Sequence, residues 1–321
     1  MIEDFLRGRE WLLADGATGT NLLAAGLAGD EAPELWNADL PERIRALHQN
    51  FVDAGADIIL TNSFGCNRRR LAMHGLQERA RDLAVLAARN ARAVADRAGR
   101  KVIVAGSVGP TGDLLEPLGA LPEAEAVEIF AEQIEGLREG GADVVWIETM
   151  SAVEEMRAAA TAASRLGMPY TVTASFDTAG RTMMGVAPPA MVREVGAFRP
   201  APHGVGCNCG VGAADLLLSV LAMTEAAPEA VVIAKANCGI PRVTADGPTY
   251  AGTPELMAEY ARLAVDAGAH IIGGCCGTTP AHLLAMRRAL QEHRRRERPD
   301  LAQIERSIGM LVSPPKRPMP S

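Results

Sequence analysis

The chain has 321 residues, of which 48% are hydrophobic and 22% are charged, and its formal net charge is −7. This composition predicts a large apolar core, and the negative charge disfavours nucleic acid or an anionic membrane surface as partners. No uncharged apolar run reaches the roughly 18 residues of a bilayer-spanning helix, and the acidic first four residues lack the layout of a secretion signal. We therefore expect a cytoplasmic protein, in which clustered cysteines serve metal binding or catalysis rather than disulfides.

Short β-rich apolar runs alternate with amphipathic segments, a pattern typical of parallel strands joined by helical crossovers. The predicted strands cover residues 11–14, 58–60, 102–105, 144–147, 170–174, 205–207, 231–234 and 271–272. Eight such units favour a closed barrel over an open sheet. The predicted fold class is therefore α/β, with a single (β/α)8 TIM barrel over residues 1–292.

Two loops and the end of the chain depart from this repeat. The segment 109–121 is rich in Gly and Pro and is predicted to cover the barrel mouth, and the segment 239–253 is predicted to form a small hairpin or lid. Residues 293–321 form a basic, proline-rich tail, for which we expect a solvated helix end and a loose terminus. The alternative is an arm that grips another subunit of a homo-oligomer.

Polar or Gly-rich residues follow most of the predicted strands. They lie at 15–16, 61–63, 106–107, 148–149, 208–209, 237–238 and 273–277. In a TIM barrel the carboxyl ends of the strands carry the functional site. The sequence therefore predicts a site at this end of the barrel.

The segment Gly-Gly-Cys-Cys-Gly at 273–277 is the most specific motif in the chain. Adjacent side chains of a strand point to opposite faces, so Cys275 and Cys276 reach one metal only where the backbone turns, which the glycines permit. A third thiolate would come from Cys207 or Cys209, and both are open on this reasoning. Three thiolates and one open position are typical of a catalytic Zn²⁺ site, where a substrate thiol is activated as a nucleophile.

These motifs resemble the homocysteine S-methyltransferase family over residues 12–286. The likeness rests on the segments 15–20, 61–65, 106–112, 148–149, 206–209, 237–241 and 273–280. It implies that Zn²⁺ is held by Cys209, Cys275 and Cys276, with the Asn208-Cys209 pair favouring Cys209 over Cys207. It also implies the activity, which is zinc-dependent transfer of a methyl group to the thiol of homocysteine to give methionine.

The resemblance further implies how homocysteine is held. Asp15 and Glu148 would grip its α-ammonium group, because carboxylates form charge-assisted hydrogen bonds with such a group. Backbone amides around Ser107 and Val108 would hold its carboxylate. The other residues expected to bind substrate are Asn62, Asn237, Trp36 and Phe64.

Glycine betaine is the favoured methyl donor, with dimethylglycine as the product. Proteins hold quaternary ammonium groups against aromatic faces, and Trp36 and Phe64 lie near the expected mouth. Betaine-using members of the family have a tryptophan near the position of Trp36. The animal betaine enzymes also have a tyrosine where this chain has Gly65, and Tyr250 is the candidate to replace it.

Three alternatives remain open at this point. The chain could be the homocysteine subunit of a split cobalamin-dependent methionine synthase, with a cobalamin protein as its partner, or it could use S-methylmethionine or another sulfonium donor. A zinc-stabilised binding scaffold without activity is the non-enzyme alternative. Cys66 and Cys238 are expected to be packed bystanders in each case.

Overall fold

A computed structural model describes residues 2–244 and 247–315 of the protein. Its strands are β1 (Leu12–Leu13), β2 (Ile58–Leu60), β3 (Ile103–Val108), β4 (Val144–Met150), β5 (Tyr170–Ala174), β6 (Val205–Cys209), β7 (Val232–Ala236), β8 (Pro241–Thr244), β9 (Gly247–Tyr250) and β10 (Ile271–Gly274). Its α-helices are α1 (Ile2–Leu6), α2 (Gly19–Ala24), α3 (Trp36–Asp39), α4 (Pro41–Asp53), α5 (Arg68–Leu71), α6 (Ala80–Ala95), α7 (Glu123–Glu139), α8 (Val153–Arg165), α9 (Pro188–Gly196), α10 (Ala213–Ala226), α11 (Pro254–Asp266), α12 (Pro280–Glu292) and α13 (Leu301–Ile308). None of these described helices is both long enough and apolar enough to cross a bilayer.

Eight parallel strands form one sheet in the order β1-β10-β7-β6-β5-β4-β3-β2. Its two ends meet, because Ala14 forms a parallel bridge with Ile58 directly after β1. Two backbone hydrogen bonds support this contact, from Asp57 N to Leu13 O at 2.7 Å and from Asp15 N to Ile58 O at 3.0 Å. The predicted (β/α)8 TIM barrel is confirmed.

Each predicted strand is present, and five of them run further than their apolar residues indicate. The strands β3, β4, β6, β7 and β10 continue by two or three residues into the polar segments that follow. Backbone pairing explains the extension, since a parallel ladder uses only N–H and C=O groups and accepts polar side chains. In this way β6 and β7 pair Asn208 with Lys235 and Cys209 with Ala236.

Successive side chains of a strand point to opposite faces of the sheet, so the strands contribute to two separate apolar clusters. Inside the barrel, residues such as Leu12, Ile58 and Trp146 form a small cluster that Ile2 of α1 joins. Outside it, the neighbouring strand residues Leu13 and Ile59 pack with the helices in the main core. The interior cluster fills the barrel below its carboxyl end, so polar groups collect above it.

The two loops follow different courses. The segment 239–253 contains the antiparallel hairpin of β8 and β9, which confirms the predicted hairpin, while residues 245 and 246 at its tip lie outside the described residues. The loop 109–121 is tied to α8. Thr111 donates hydrogen bonds to Glu155 from its N–H at 2.8 Å and from its hydroxyl at 2.7 Å.

The tail packs on the barrel as far as residue 315, unlike the loose terminus that its basic, proline-rich sequence suggests. Its helix α13 is capped by Asp300, whose carboxylate accepts from Gln303 N at 2.7 Å, and it buries Ile304. Asp215 of α10 then accepts hydrogen bonds from the backbone N–H groups of Val312 and Ser313 at 2.9 and 2.8 Å. Residues 316–321 lie outside the described residues.

Candidate functional site

Three cysteines converge at the carboxyl end of the barrel. Cys209 ends β6, while Cys275 and Cys276 follow β10, and β7 lies between these two strands in the sheet. Their three Sγ atoms lie within 4.8 Å of one another. In the described part of the chain, this is the one group of three or more His, Cys, Asp or Glu side chains placed to hold a metal ion.

Local backbone geometry brings the two stretches of chain together. Cys209 has φ of +64°, a left-handed conformation that is uncommon outside glycine. On the other side, a hydrogen bond from Thr278 N to Cys275 O at 3.1 Å closes a turn directly after the paired cysteines. Gly274 makes room for this turn, since a Cβ atom there would lie 2.3 Å from the Thr278 side chain.

Two asparagine side-chain amides contact the sulfur atoms of the cysteine cluster. Asn237 Nδ2 lies 3.7 Å from Cys209 Sγ, and Asn237 Oδ1 accepts from Cys276 N at 3.0 Å, so one side chain contacts both stretches. Asn208 Nδ2 lies 3.8 Å from Cys275 Sγ and donates to Thr149 Oγ1 at 2.7 Å. Asn237 is absent from the cavity wall described below, so its contacts are those of a residue that positions the cysteines.

Cys207 does not join this cluster. It precedes Cys209 by two positions in β6, but its Sγ lies near the backbone oxygens of Leu216 and Ile233, at 3.9 and 4.0 Å. Burial raises the pKa of the Cys207 thiol far above its usual range. Cys66 and Cys238 are also buried, as expected for bystanders, which leaves the predicted set of Cys209 and the adjacent pair.

A cavity of about 450 Å³ opens beside the cysteines. Its wall is formed by Gly16, Ala17, Thr18, Gly19, Thr20, Leu23, Pro33, Glu34, Leu60, Thr61, Asn62, Ser63, Phe64, Ser107, Glu148, Thr149, Cys209, Lys235, Tyr250, Gly274, Cys275 and Cys276. Most of these residues follow the carboxyl ends of barrel strands, as expected. The wall thus includes the three cysteines and four of the predicted substrate-binding residues: Asn62, Phe64, Ser107 and Glu148.

Glu148 presents a buried carboxyl group to this cavity. It lies where the pairing of β4 with β5 shifts register between Ile147 and Met150, an irregularity that re-aims side chains. The Ser107 hydroxyl donates to Glu148 Oε1 at 2.5 Å. Burial raises the pKa of Glu148, although the Lys235 ammonium group and the Ser107 hydrogen bond both oppose that rise.

Asp15 holds a lysine rather than facing the cavity. Its Oδ1 accepts from Lys235 Nζ at 2.8 Å, and its Oδ2 accepts from Leu60 N at 2.7 Å. Burial raises the pKa of Asp15, and the neighbouring ammonium group opposes the rise. Both oxygens are engaged and Asp15 is absent from the wall, so the structure does not place it with Glu148 as a second contact for a substrate ammonium group.

Lys235 is a site residue that sequence reasoning missed. It lies inside β7, where it is 1% exposed, and it contributes to the cavity wall. The available signal was a single lysine within the apolar run 231–236. A buried lysine needs an acidic partner, and that partner, Asp15, lies 220 positions earlier in the chain.

Comparison with known proteins identifies the family. Residues 12–290 match the family model described as homocysteine S-methyltransferase. The chain belongs to the homocysteine S-methyltransferase family. Among solved structures, the metallated form of the homocysteine methyltransferase MmuM from Escherichia coli matches with a TM-score of 0.75 at 24% identity, covering 89% of this chain and 99% of that chain. At this identity the likeness supports the fold alone.

Two curated relatives of this homocysteine S-methyltransferase family member are much longer proteins. The methionine synthase of Mycobacterium tuberculosis is 34% identical over 308 residues, which covers 89% of this chain and 25% of that protein. The methionine synthase of Mycobacterium leprae is 32% identical over 293 residues, which covers 85% of this chain and 24% of that protein. The chain therefore spans about a quarter of the length of these relatives.

One of the amides expected to hold a carboxylate, that of Ser107, already has a partner. Ser107 N donates to Thr61 Oγ1 at 3.0 Å, and Gly109 N, just beyond β3, donates to Phe64 O at 3.0 Å. Val108 lies between them with its side chain fully buried in the outer core. The Ser107 side chain reaches the cavity, but its N–H is not free to bind a substrate carboxylate.

Trp36 lies apart from the other predicted site residues. Its ring is 2% exposed and is absent from the cavity wall. The indole N–H donates to Glu31 at 2.8 Å, and the Arg43 guanidinium lies 5.1 Å from the ring centroid. A cation of the protein itself thus covers one face of this ring, and the aromatic side chains on the wall are Phe64 and Tyr250.

Glu34 is a second wall residue that the sequence did not reveal. It is buried, and its Oε1 accepts from Gly65 N at 2.7 Å. Burial raises its pKa. A Cβ atom at Gly65 would lie 2.7 Å from the same oxygen, so a larger residue at this position would have to displace the Glu34 carboxyl group.

Proposed function

We propose that this chain is a zinc-dependent homocysteine S-methyltransferase that produces methionine. The observation that carries the proposal is the convergence of Cys209, Cys275 and Cys276 on the wall of a cavity that also contains Glu148. A buried cavity with a few convergent polar groups is the usual form of a small-molecule site. Family membership over residues 12–290 supports the same activity.

The three thiols fit Zn²⁺ by their chemistry and their spacing. Zinc–sulfur bonds of about 2.3 Å in a tetrahedral arrangement separate the sulfur atoms by about 3.8 Å. The Sγ atoms here lie within 4.8 Å of one another, and soft thiolates favour zinc over cations that prefer oxygen. When bound, Zn²⁺ would lower the pKa of a substrate thiol and fix the direction of its sulfur.

The side chains of the site then have separate tasks. Glu148 accepts the α-ammonium group of homocysteine, and Ser107 keeps the carboxylate of Glu148 in place through its hydroxyl hydrogen bond. Asn208 and Asn237 hold the cysteines. The homocysteine sulfur forms a bond to the methyl carbon as the bond from that carbon to the donor breaks, and the leaving atom keeps the electron pair.

Glycine betaine is our first proposal for the donor. Phe64 and Tyr250 provide two aromatic side chains on the cavity wall, and aromatic faces attract quaternary ammonium groups. The carboxyl group of Glu34 lies on the same wall. Trp36 contributes nothing to this argument, and a sulfonium donor such as S-methylmethionine would be attracted by the same groups.

A second candidate is favoured by the sequence relatives. The chain resembles about a quarter of two mycobacterial methionine synthases at 34% and 32% identity. It could thus act as the homocysteine-activating part of a split enzyme. The methyl group would then come from methylcobalamin on a partner protein.

A panel of donors tests the proposal. Reduced, zinc-loaded protein is incubated with homocysteine and, in separate reactions, glycine betaine, S-methylmethionine or a methylcobalamin protein, and methionine is measured. We expect methionine and dimethylglycine in equal amounts with betaine, and none from the Cys275→Ala variant. Methionine formed only with the methylcobalamin protein would overturn the betaine donor, and bound zinc with no homocysteine binding would favour the non-enzyme scaffold.

A further inference from the structure

The segment that follows α13 reaches the end of the barrel that carries the cysteine cluster. The family match ends at residue 290, yet the described chain continues to residue 315. Residues 311–315, here called the C-terminal strap, contact the loop after β5 and the start of α10, which follows β6. A Cβ atom added at Gly180 in the loop after β5 would lie 2.9 Å from the Pro315 ring. A segment outside the family match thus lies against the connection that follows Cys209.

The connection after β6 needs support from outside because its backbone is unusual. Among the described residues, three that are not glycine have a positive φ, and Cys209 is one of them at +64°. Gly210 follows with φ of +75°, and Gly212 precedes α10. Glycine gives the chain little conformational preference of its own, and a strained left-handed residue persists only where its surroundings hold it. The position of Cys209 therefore depends on contacts that fix residues 210–215.

The two ends of this connection are held by different parts of the protein. At the near end, Asn237 Nδ2 donates to Gly210 O at 2.6 Å. At the far end, Asp215 lies in the first turn of α10, and its carboxylate oxygens accept from Val312 N at 2.9 Å and Ser313 N at 2.8 Å. Hydrogen bonds to a carboxylate are stronger than those between neutral groups. The strap is thus the part of the chain that anchors the far end.

The strap also holds the loop after β5, which packs beside the same connection. Ser313 Oγ accepts from Ala179 N at 2.8 Å, and Ala179 is another of the left-handed residues, with φ of +50°. The loop reaches Gly210, where an added Cβ atom would lie 3.7 Å from Phe176 O. Through Ser313 the strap therefore ties together two neighbouring segments, one of which begins at Cys209.

We propose that the C-terminal strap fixes the position of Cys209 and so raises the affinity of the cysteine cluster for zinc. The inference rests on the proposed function, because it concerns the zinc ion of that site. Asp215 and Ser313 are positioning residues, since neither belongs to the described cavity wall. Without the strap, Cys209 samples positions away from the other two cysteines, and a mobile set of ligands binds its metal less tightly than a preorganised one.

Zinc affinity, measured by competition with a chelator, tests the proposal without relying on turnover. A chain that ends at Met310 lacks the strap but keeps α13, and Asp215→Ala removes the acceptor of the strap's backbone hydrogen bonds. We expect each variant to bind zinc about tenfold more weakly, at the lower end of the range for groups that support metal ligands. A chain that ends at residue 315 is the matched control for truncation and should bind zinc as the full chain does.

Ile304→Ala separates this effect from a general loss of stability. That variant weakens the packing of α13 but removes none of the strap's hydrogen bonds, so it should unfold at a lower urea concentration and keep the zinc affinity of the wild type. Unchanged zinc affinity in either strap variant, or an equal reduction in Ile304→Ala, overturns the proposal and spares the proposed function. Wild-type protein that binds no zinc overturns the proposed function itself.

Discussion

Asp15 and Glu148 are both buried carboxyl groups at the mouth of the barrel, yet their partners differ. Asp15 is bonded to Lys235 and to the backbone of Leu60, while Glu148 is bonded to one hydroxyl group and borders the cavity. Burial raises the pKa of both groups. Of these two groups Glu148 alone borders the cavity, so we propose that its charge state governs substrate binding.

Replacing Glu148 by Gln should weaken homocysteine binding while leaving zinc in place. The amide keeps an oxygen for Ser107 but loses the charge that pairs with the α-ammonium group, so we expect KM for homocysteine to rise about ten- to a hundredfold. Steady-state kinetics and zinc analysis measure the two effects. Glu155→Gln is the matched control, since Glu155 is also buried but bonds Thr111 away from the cavity.

The same residue predicts a pH dependence. In its proposed role the carboxylate form of Glu148 accepts the ammonium group, and burial raises the pKa of Glu148 above the ordinary value. Homocysteine affinity should therefore fall as the pH is lowered through this raised pKa, and recover above it. Titration calorimetry across the acid range checks the trend, and an identical decline in Glu148→Gln would show that another group is responsible.

Asn237 should control zinc affinity without touching the substrate. It contacts Cys209 Sγ and the Cys276 N–H, and loss of such a supporting group typically weakens metal binding about ten- to a hundredfold. Competition with a chelator measures this in Asn237→Ala. Asn90→Ala is the control, because Asn90 is as deeply buried but bonds Asn37 and Arg45 instead. Equal zinc affinity in the two variants would contradict the role given to Asn237.

At the scale of elements, helix α4 carries a histidine on its buried face. His48 is 1% exposed, and its Nε2 has no hydrogen-bond partner among the described residues. Burial lowers the pKa of His48 to about 4. The unfolded chain, with a histidine pKa of about 6.5, binds the proton more readily, so stability should be full above that value and decline as the pH falls toward 4.

His48→Leu should remove this part of the acid sensitivity. Between pH 7.5 and pH 5 the wild type should lose about 2 kcal/mol of unfolding free energy through His48, a loss that the leucine variant escapes. Urea unfolding at the two pH values gives the difference. His74→Gln, which changes an exposed histidine, should decline as the wild type does, and a parallel decline in all three proteins would refute the assignment.

Sequence periodicity was sufficient to predict the strands, but it did not predict how far they extend at their carboxyl ends. Each apolar run became a strand because these parallel strands are buried on both faces, which a continuous apolar run predicts. The polar extensions of β6 and β7 could not be predicted from composition, since Asn208 and Lys235 are paired through backbone hydrogen bonds. The cysteine cluster was predictable because two motifs carried it, whereas the pairing of Lys235 with Asp15 depends on barrel closure and was not.

At the scale of the whole molecule, the segment after α12 completes the packing of the barrel. Helix α13 contacts α10 and α11, and Asp266 accepts from His293 Nε2 at 2.8 Å and from Arg296 N at 2.7 Å. The basic and proline-rich composition of this segment suggested a loose tail. The helix within it has only eight residues, and its buried face consists of only Ile304 and Ile308. So short an apolar pattern is easily missed.

Ile304→Ala should therefore destabilise the protein. Truncating a fully buried isoleucine typically costs about 2–5 kcal/mol, while the distant cavity should keep its ligands. Urea unfolding measures the loss. Leu301→Ala removes a side chain that is 40% exposed on the same helix and should cost less than about 1 kcal/mol. Similar losses for the two variants would mean that α13 does not pack as described.

X-ray absorption at the zinc edge, with and without homocysteine, tests the central claim most directly. The claim is that Cys209, Cys275 and Cys276 hold one zinc ion whose remaining position receives the substrate sulfur. We predict three sulfur neighbours at about 2.3 Å in the resting protein and four after homocysteine is added. A sulfur count that does not rise, or a resting protein with fewer than three sulfur neighbours, would contradict it.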